Sequence, residues 1–418
     1  MTWCAALAAA GVLAACGQSA AAVAGEPAGN SWGRVIEVPG LASLISGKGG
    51  GAQVSALSCA SAGNCVAGGY YWDRGDQGFV VTERHGRWGR ATGVPGLAAL
   101  NQGRYADVQA ASCVPGGSCA VGGTYAESDG QDVNGFVAVE NQGVWGKAVT
   151  FPARGDGSVD VIYCVSAGNC LAGGTQSPAY FYNFDGFIAQ ERSGHWGKPT
   201  AVPGLRALSK GENADVIAAW CASAGNCTAG GYTDGGGGYP ERGFVVSERH
   251  GKWGTAIRVP GLETLNKGGD AQVNSISCTS AGRCVAVGYY TEKDFRPQGF
   301  VAVERNGRWG QATTVPGLAA LDQDGRPTTA WSVSCVPSGT CTIGGSYTDN
   351  SRRGQGFVTS EDNARWGTPA PLPGLAALNT SGPAVVESVW CAPSGACTAG
   401  GAYTGHTHHP QGFVTQSG

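Results

Sequence analysis

Between residues 54 and 96 the chain repeats a short rhythm of apolar and polar positions. VSALSCA (54–60) reads as a β-type run, SAGN (61–64) as a turn of small residues, and CVAGGYY (65–71) as a second run that includes a glycine pair. GFVVTERH (78–85) is a third run, with Phe79 and Val81 on one face and Val80 and Thr82 on the other. His85-Gly86 makes a two-residue turn, and RWGRATGVPG (87–96) predicts a fourth strand with proline at its exit. Four strands joined by short turns form an antiparallel sheet. Because both of its faces are apolar, it needs a neighbour on each side.

The unit recurs seven times over residues 32–418. Each copy carries a Gly-Phe (Phe79, Phe136, Phe187, Phe244, Phe300, Phe357, Phe413) and a Trp-Gly (Trp32, Trp88, Trp145, Trp196, Trp253, Trp309, Trp366). Each also carries a Cys-x5-Cys: Cys59/Cys65, Cys113/Cys119, Cys164/Cys170, Cys221/Cys227, Cys278/Cys284, Cys335/Cys341 and Cys391/Cys397. First cysteines lie 51 to 57 residues apart, a period suited to a four-stranded propeller blade and too long for a solenoid coil. The last copy stops after its third strand, GFVTQSG (412–418), while SWGRVIEVPG (31–40) is a fourth strand with no sheet of its own. The expected fold is therefore all-β, a seven-bladed β-propeller of four-stranded antiparallel blades spanning residues 31–418 as one domain. The N-terminal strand is expected to complete the last blade.

A glycine pair ending the second strand and a tryptophan entering the fourth are similar to kelch propellers. The segments CASAGNCVAGG (59–69), QGFVVTERHGRWG (77–89) and VPGLAALN (94–101) resemble those of exported actinobacterial repeat proteins. That resemblance covers about nine-tenths of the chain. It implies a propeller outside the cytoplasm and, since that group has no assigned activity, no chemistry.

Composition changes the picture in three ways. Seventy-two glycines and twenty prolines would suggest disorder, but 42 % hydrophobic residues point to a packed, turn-rich β protein. A net charge of −3 offers no field for nucleic acid or anionic lipid. The first thirty residues differ in kind, an apolar run followed by small residues, with Leu13-Ala14-Ala15-Cys16-Gly17 resembling a bacterial lipobox. Residues 1–30 are thus expected to be a signal segment and short linker. Cys16 would be the lipidated N-terminus of a surface lipoprotein, although no Lys or Arg precedes the apolar run. Cleavage after Ala22-Val23-Ala24, giving a secreted protein, is the alternative. A lipid anchor would be the chain's one link to a membrane, and a monomer is expected.

Sixteen cysteines, less Cys4 and Cys16, leave fourteen, which is one pair per repeat. Residues i and i+6 across a tight hairpin face each other at bridging distance, so seven structural disulfides are expected, in an oxidising compartment. Zinc would need a second pair of ligands at each site. His406, His408 and His409 are the one cluster of imidazoles, and a solvated loop accounts for them better than a metal. No cofactor motif is present.

Alternate loops of a propeller open on opposite faces. The first-to-second and third-to-fourth turns are short and uniform, whereas the second-to-third loops vary in length and content. That divergence marks a recognition surface on a rigid scaffold. Its candidate ligand residues are Tyr71, Trp72, Asp73, Tyr180, Tyr182, Tyr239, Tyr290, Arg296 and Arg352. Aromatic rings stack on sugars, carboxylates and amides bond hydroxyls, and Tyr and Arg equally anchor protein partners. The expected function is binding, at the cell surface or outside it, of a glycan or an envelope protein. A scaffold for protein partners is a further reading.

A catalytic site would break the sevenfold pattern. The recurrent Glu83, Glu140, Glu191, Glu248, Glu304 and Glu361 do not, and are expected to pair across the hairpin with bases such as Arg87 or Arg308. Positions four before each first cysteine do vary: Ser55, Gln109, Asp160, Ile217, Asn274, Trp331 and Glu387. Asp160 and Glu387 are the pair to test as acid and base of a glycosidase or lyase. With no nucleophile or metal motif in view, the chain reads as a binder more readily than an enzyme.

Overall fold

The computed structural model describes residues 32–417, apart from 47–48, 128–131, 154, 178–182, 235–239, 322–324 and 363–364. The proposed signal segment, Cys16 included, lies outside the described residues.

Seven antiparallel sheets follow one another around an axis. In blade 1 the strands are Ala52–Ser61, Asn64–Trp72, Asp76–Arg84 and a fourth broken into Arg87–Trp88 and Thr92–Gly93. The break corrects the reading of residues 87–96 as one strand. Glu83 pairs with Trp88 but Val80 pairs with Thr92, so one extra residue bulges at the Trp-Gly step.

The seventh blade consists of Val385–Cys391, Cys397–Thr404 and Pro410–Gln416, completed by Ile36–Glu37 from the N-terminal end. Ile36 pairs with Val414, Glu37 with Phe413, and Trp32 bridges to Ser417. The ring is closed. At the same junction the Leu57 N–H donates to Ser388 Oγ at 3.1 Å, joining blade 7 to blade 1.

Each landmark has a packing reason. All seven Gly-Phe phenylalanines are fully buried. The preceding glycine is needed because a Cβ on Gly78 would come within 2.7 Å of Leu97, the buried leucine of the VPGL segment. Gly96 holds φ 77°, the left-handed turn that lets Leu97–Leu100 start a helical turn and drop that leucine inward.

All seven expected disulfides are formed: Cys59–Cys65, Cys113–Cys119, Cys164–Cys170, Cys221–Cys227, Cys278–Cys284, Cys335–Cys341 and Cys391–Cys397. Burial gives them a second role beside closing the hairpin. Cys65 and Cys284 are 1 % exposed, Cys341 2 % and Cys227 5 %, and each belongs to its blade's apolar core. The second cysteine begins the second strand with its side chain turned into the seam between blades. There Cys65 Sγ lies 3.7 Å from Thr398 Oγ1 of blade 7, and Cys284 Sγ lies 3.8 Å from Thr228 Oγ1 of blade 4. A half-cystine is a compact apolar group, so each bridge packs neighbouring blades as well as closing its own turn.

Blades are also bonded to one another. The N–H groups of Cys113, Cys164, Cys335 and Cys391 donate to Ser58, Ser112, Ser277 and Ser334 of the preceding blade at 2.8–3.0 Å. These bonds satisfy the inner-edge backbone that a lone sheet would leave open. In blades 3, 4 and 7 the serine position holds Tyr163, Trp220 and Trp390, which pack on the next blade's core instead.

The recurrent glutamates also join blades, which corrects the expectation of pairing across the hairpin. Glu140 accepts from Arg84 at 2.9 Å, Glu248 from Gln190 at 2.8 Å, Glu304 from Arg249 at 3.4 Å, and Glu83 from Gln416. In each case the partner belongs to the preceding blade. Burial pushes these carboxyls above their ordinary range, and in Glu140 and Glu304 the arginine opposes the shift.

Candidate functional site

The two faces of the disc differ as their loops do. On one, the first-to-second and third-to-fourth turns are tied together: the Gly86 N–H donates to Gly63 O at 2.9 Å, and the His85 N–H to Asn64 Oδ1 at 3.3 Å. The same glycine bond recurs at Gly194, Gly251 and Gly307. All seven disulfides lie towards this face, each between directly paired cysteines with Cα atoms 3.8–4.0 Å apart. Such bridges persist in an oxidising, extracytoplasmic compartment. Among the described residues, no helix is long and apolar enough to cross a membrane.

On the other face, second-to-third loops bond to fourth-to-first connections, as where Asp76 N–H donates to Arg104 O at 3.0 Å. Of the sequence-predicted residues there, Trp72 is 43 % exposed and packs over Gly50. Asp73 accepts from Ser46 and lies 3.6 Å from Arg74; these two, the serine foremost, hold its carboxyl below the usual range. Tyr71 is half-buried against the core of blade 1. Arg352 is exposed, and Arg296 is engaged by Asp294 and by Glu292 at 3.9 Å. Tyr290 is corrected: it is only 5 % exposed, and its hydroxyl bonds Thr314 Oγ1 at 2.9 Å inside the blade. It turned inward because it occupies an apolar-facing position of the second strand. Tyr180, Tyr182 and Tyr239 lie outside the described residues. Among the described residues, no group of three His, Cys, Asp or Glu side chains is arranged to hold a metal.

At the axis is a channel of about 400 Å³ lined by the first strands of all seven blades. Ser55, Gln109, Asp160, Ile217, Asn274, Trp331 and Glu387 all line it, in agreement with their variation. Six of these seven are β-bulge residues. In blade 1, for instance, Val54 pairs with Gly69 and Ala56 with Gly68, leaving Ser55 as the extra residue. A bulge re-aims one side chain and reverses the strand's in/out parity beyond it.

The bulge also explains the glycine pair. A Cβ on Gly69 would lie 1.9 Å from Gln53 O, and the equivalent contact in the other six blades is 1.9–2.3 Å. Only glycine fits beneath the displaced strand.

The sequence reading missed a second ring, six residues before each first cysteine, where Asp107 and Asp215 stand. The spacing of two from the bulge position was a usable signal, since residues i and i+2 share a strand face. Asp160 does not meet Glu387. Its partner is Asp215 of the adjacent blade, within hydrogen-bonding reach, while its Oδ2 accepts from Ser158. Glu387 instead accepts from Gln53 at 3.2 Å and lies close enough to influence Asp107. Burial raises the Asp160 carboxyl to about 6 and Glu387 to about 7. Asp107 rises to about 8, from burial first and then from Asp76.

Phenols complete the mouth on the variable face. Tyr70 and Tyr232 lie near the ends of second strands, directly opposite Gln53 and Asp215, and Tyr289 likewise opposite Gln272. The Tyr289 hydroxyl donates to Glu241 at 3.1 Å. Tyr105, from the blade 1 to blade 2 connection, is 43 % exposed and lies near Asp107, Asp76 and Asp160. The far end of the channel carries Tyr163, Trp220 and Trp390; burial pushes the Tyr163 phenol up to about 12.

This architecture defines a disulfide-pinned, seven-bladed β-propeller with an acidic, tyrosine-rimmed channel. No family model matches the sequence, and no curated protein does. Among solved structures, a protein of unknown function from Dyadobacter fermentans is similar in fold. It has a TM-score of 0.51 and 9 % identity over 94 % of this chain and 100 % of that one. A Penicillium chrysogenum alpha-L-arabinanase gives 0.47 at 9 % identity, covering 93 % and 98 %. A Trypanosoma rangeli sialidase gives 0.44 at 12 % identity, covering 87 % of this chain and 55 % of that one. Identities this low speak to the fold alone.

Proposed function

We propose that this protein is an extracytoplasmic binding protein that takes a saccharide at the channel mouth of its variable face. A lipid anchor at Cys16 would hold it at the cell surface, with free secretion as the other route. One observation carries the reading: the side chains that a repeated bulge turns into the channel differ in every blade, while the scaffold behind them repeats. Carboxylates, amides and phenols suit sugar hydroxyls, and the exposed rings of Tyr105 and Trp72 offer stacking surfaces. A glycan array probed with the purified ectodomain tests it. Retention of cell-wall oligosaccharides, weakened at least about tenfold by Tyr105→Ala, supports the proposal. No saccharide bound, with an envelope protein captured instead, would transfer the face to protein partners.

The Asp160–Asp215 contact favours a second reading, a glycosidase or lyase. A carboxyl that keeps its proton near neutral pH is suited to general-acid work. Turnover of a polysaccharide that Asp160→Asn abolishes would support it, and turnover that survives this change would remove it.

A further inference from the structure

The channel lining contains no Lys, Arg or His among the described residues. The titratable groups that line it are Asp160, Glu387 and Tyr163, and further acids and phenols stand beside them. Across blades 1 to 4 they form an arc: Asp76, Asp107, Asp160 and Asp215, with Tyr105 among the first three. Glu387 borders the arc at blade 7, and Tyr232 and Glu241 border it at blade 4. Neither Asp107 nor the Asp160–Asp215 pair has a base beside it. Their neighbours are Ser55, 3.5 Å from Asp107, and Ser158 on Asp160.

The hydrogen bonds are unbalanced in the same direction. Gln109 Oε1, one blade from Asp160 and likewise four residues before its first cysteine, is buried with no donor. Asp215 Oδ1 is also buried, and no donor reaches it except a proton shared with Asp160. Buried acceptors without donors are costly unless something supplies them. A sugar hydroxyl brings an acceptor with each donor, whereas an ammonium brings three donors, a positive charge and no acceptor.

We infer that the saccharide taken at this mouth bears free amines, with one ammonium seated among Gln109, Asp160 and Asp215. This rests on the saccharide reading above and narrows its ligand class. Seating the ammonium displaces the proton shared by Asp160 and Asp215 to the buffer, leaving two carboxylates around one cation. Uronic acids and sialic acids, which are anionic, are repelled by the same field.

Calorimetric titration of the ectodomain tests this with a glucosamine oligomer, the N-acetylated oligomer of equal length, polygalacturonate and spermine. The expected result is that the free-amine oligomer binds about ten- to a hundredfold tighter than the acetylated one. The gap should narrow as salt rises, and protons should be released to the buffer. Asp215→Asn should abolish the gap, because it weakens the free-amine oligomer far more than the acetylated one. Asp107→Asn, further along the arc, should reduce the gap in part. Equal binding of the two oligomers, or preference for polygalacturonate, overturns the amine assignment and leaves the saccharide reading intact. Spermine binding as tightly as the sugar would show an amine site with no saccharide specificity. Absence of binding by every probe, together with a blank glycan array, removes the saccharide reading itself.

Discussion

The disulfide face and the variable face of this disc are made from the same seven sheets but hold together differently. On the disulfide face the described turns are short, and in blades 1, 3, 4 and 5 a second turn braces the first through paired glycines, joined in blades 1, 3 and 4 by an asparagine side chain. Gly63 shows how tight this is: a Cβ there would lie 2.8 Å from the Gly86 nitrogen. On the variable face the loops bond to neighbouring connections, leave Trp72, Tyr105 and Phe295 exposed, and surround a channel mouth rich in unneutralised acid. Stability is concentrated where the repeat is strict, and recognition chemistry where it is not. A rigid base lets the opposite loops and bulge side chains diverge without loss of the fold.

The largest expected break in this comparison comes from reduction. Each bridge closes a short loop worth about 2 kcal/mol, so reducing all seven should lower the unfolding midpoint by about 10 °C or more. Because sulfurs such as those of Cys65 and Cys284 are buried, the bridges are reduced in denaturant and the thiols blocked before refolding. Scanning calorimetry of the intact and reduced forms checks it, and coincident midpoints would show that the bridges contribute nothing.

Next is glycine. Gly69→Ala forces a side chain against Gln53 O and should cost about 4 kcal/mol or more. Gly86→Ala faces open space at φ 75° and should cost only about 1–2 kcal/mol. Equal losses in chemical denaturation would contradict the bulge account of the glycine pair.

Smaller still is the blade-to-blade pair. Arg84→Ala leaves Glu140 buried without its cation and should cost about 1–3 kcal/mol. A charge-reversed rim residue with no such partner serves as the control. Trp72→Ala, by contrast, should move stability by no more than about 0.5 kcal/mol while weakening saccharide binding.

The channel acids give the comparison a pH signature. Their folded-state values lie above the unfolded ones, so the protonated form is the one the fold favours. The stabilisation is complete below about pH 4 and is lost as pH rises through about 6 for Asp160, 7 for Glu387 and 8 for Asp107. Unfolding midpoints should therefore fall between pH 4 and pH 8. In Asp107→Asn the upper part of that slope should flatten, and a slope unchanged by this substitution would place its origin elsewhere.

Much of this could be read in the chain. Cysteine spacing gave each bridge, and the seven copies of Gly-Phe and Trp-Gly marked the blades. The orphan strand at residues 31–40 foretold the closure onto Phe413 and Ser417. Even the channel positions stood out, because Asp160 and Glu387 vary where their surroundings repeat. What failed were statements about partners and surroundings. Glu140 looked set for a base across its hairpin but bonds Arg84 of the blade before it. Tyr290 looked like a surface aromatic but faces the blade interior. Cys65, Cys227, Cys284 and Cys341 pair as their spacing implies, yet their place in the apolar core was not visible in that spacing. Asp160 was matched with Glu387 and meets Asp215 instead.

The repeat alone therefore determined which strands exist, how they pair within a blade and how many blades there are. Those interactions link residues close in the chain and recur with its period. The tertiary structure decided everything that crosses between blades. A bulge slips one strand by a single residue, which reverses the facing of every later side chain in that strand. Closure of the ring then sets which blade's carboxylate stands beside the next. Neither the slip nor the juxtaposition leaves a local periodicity behind.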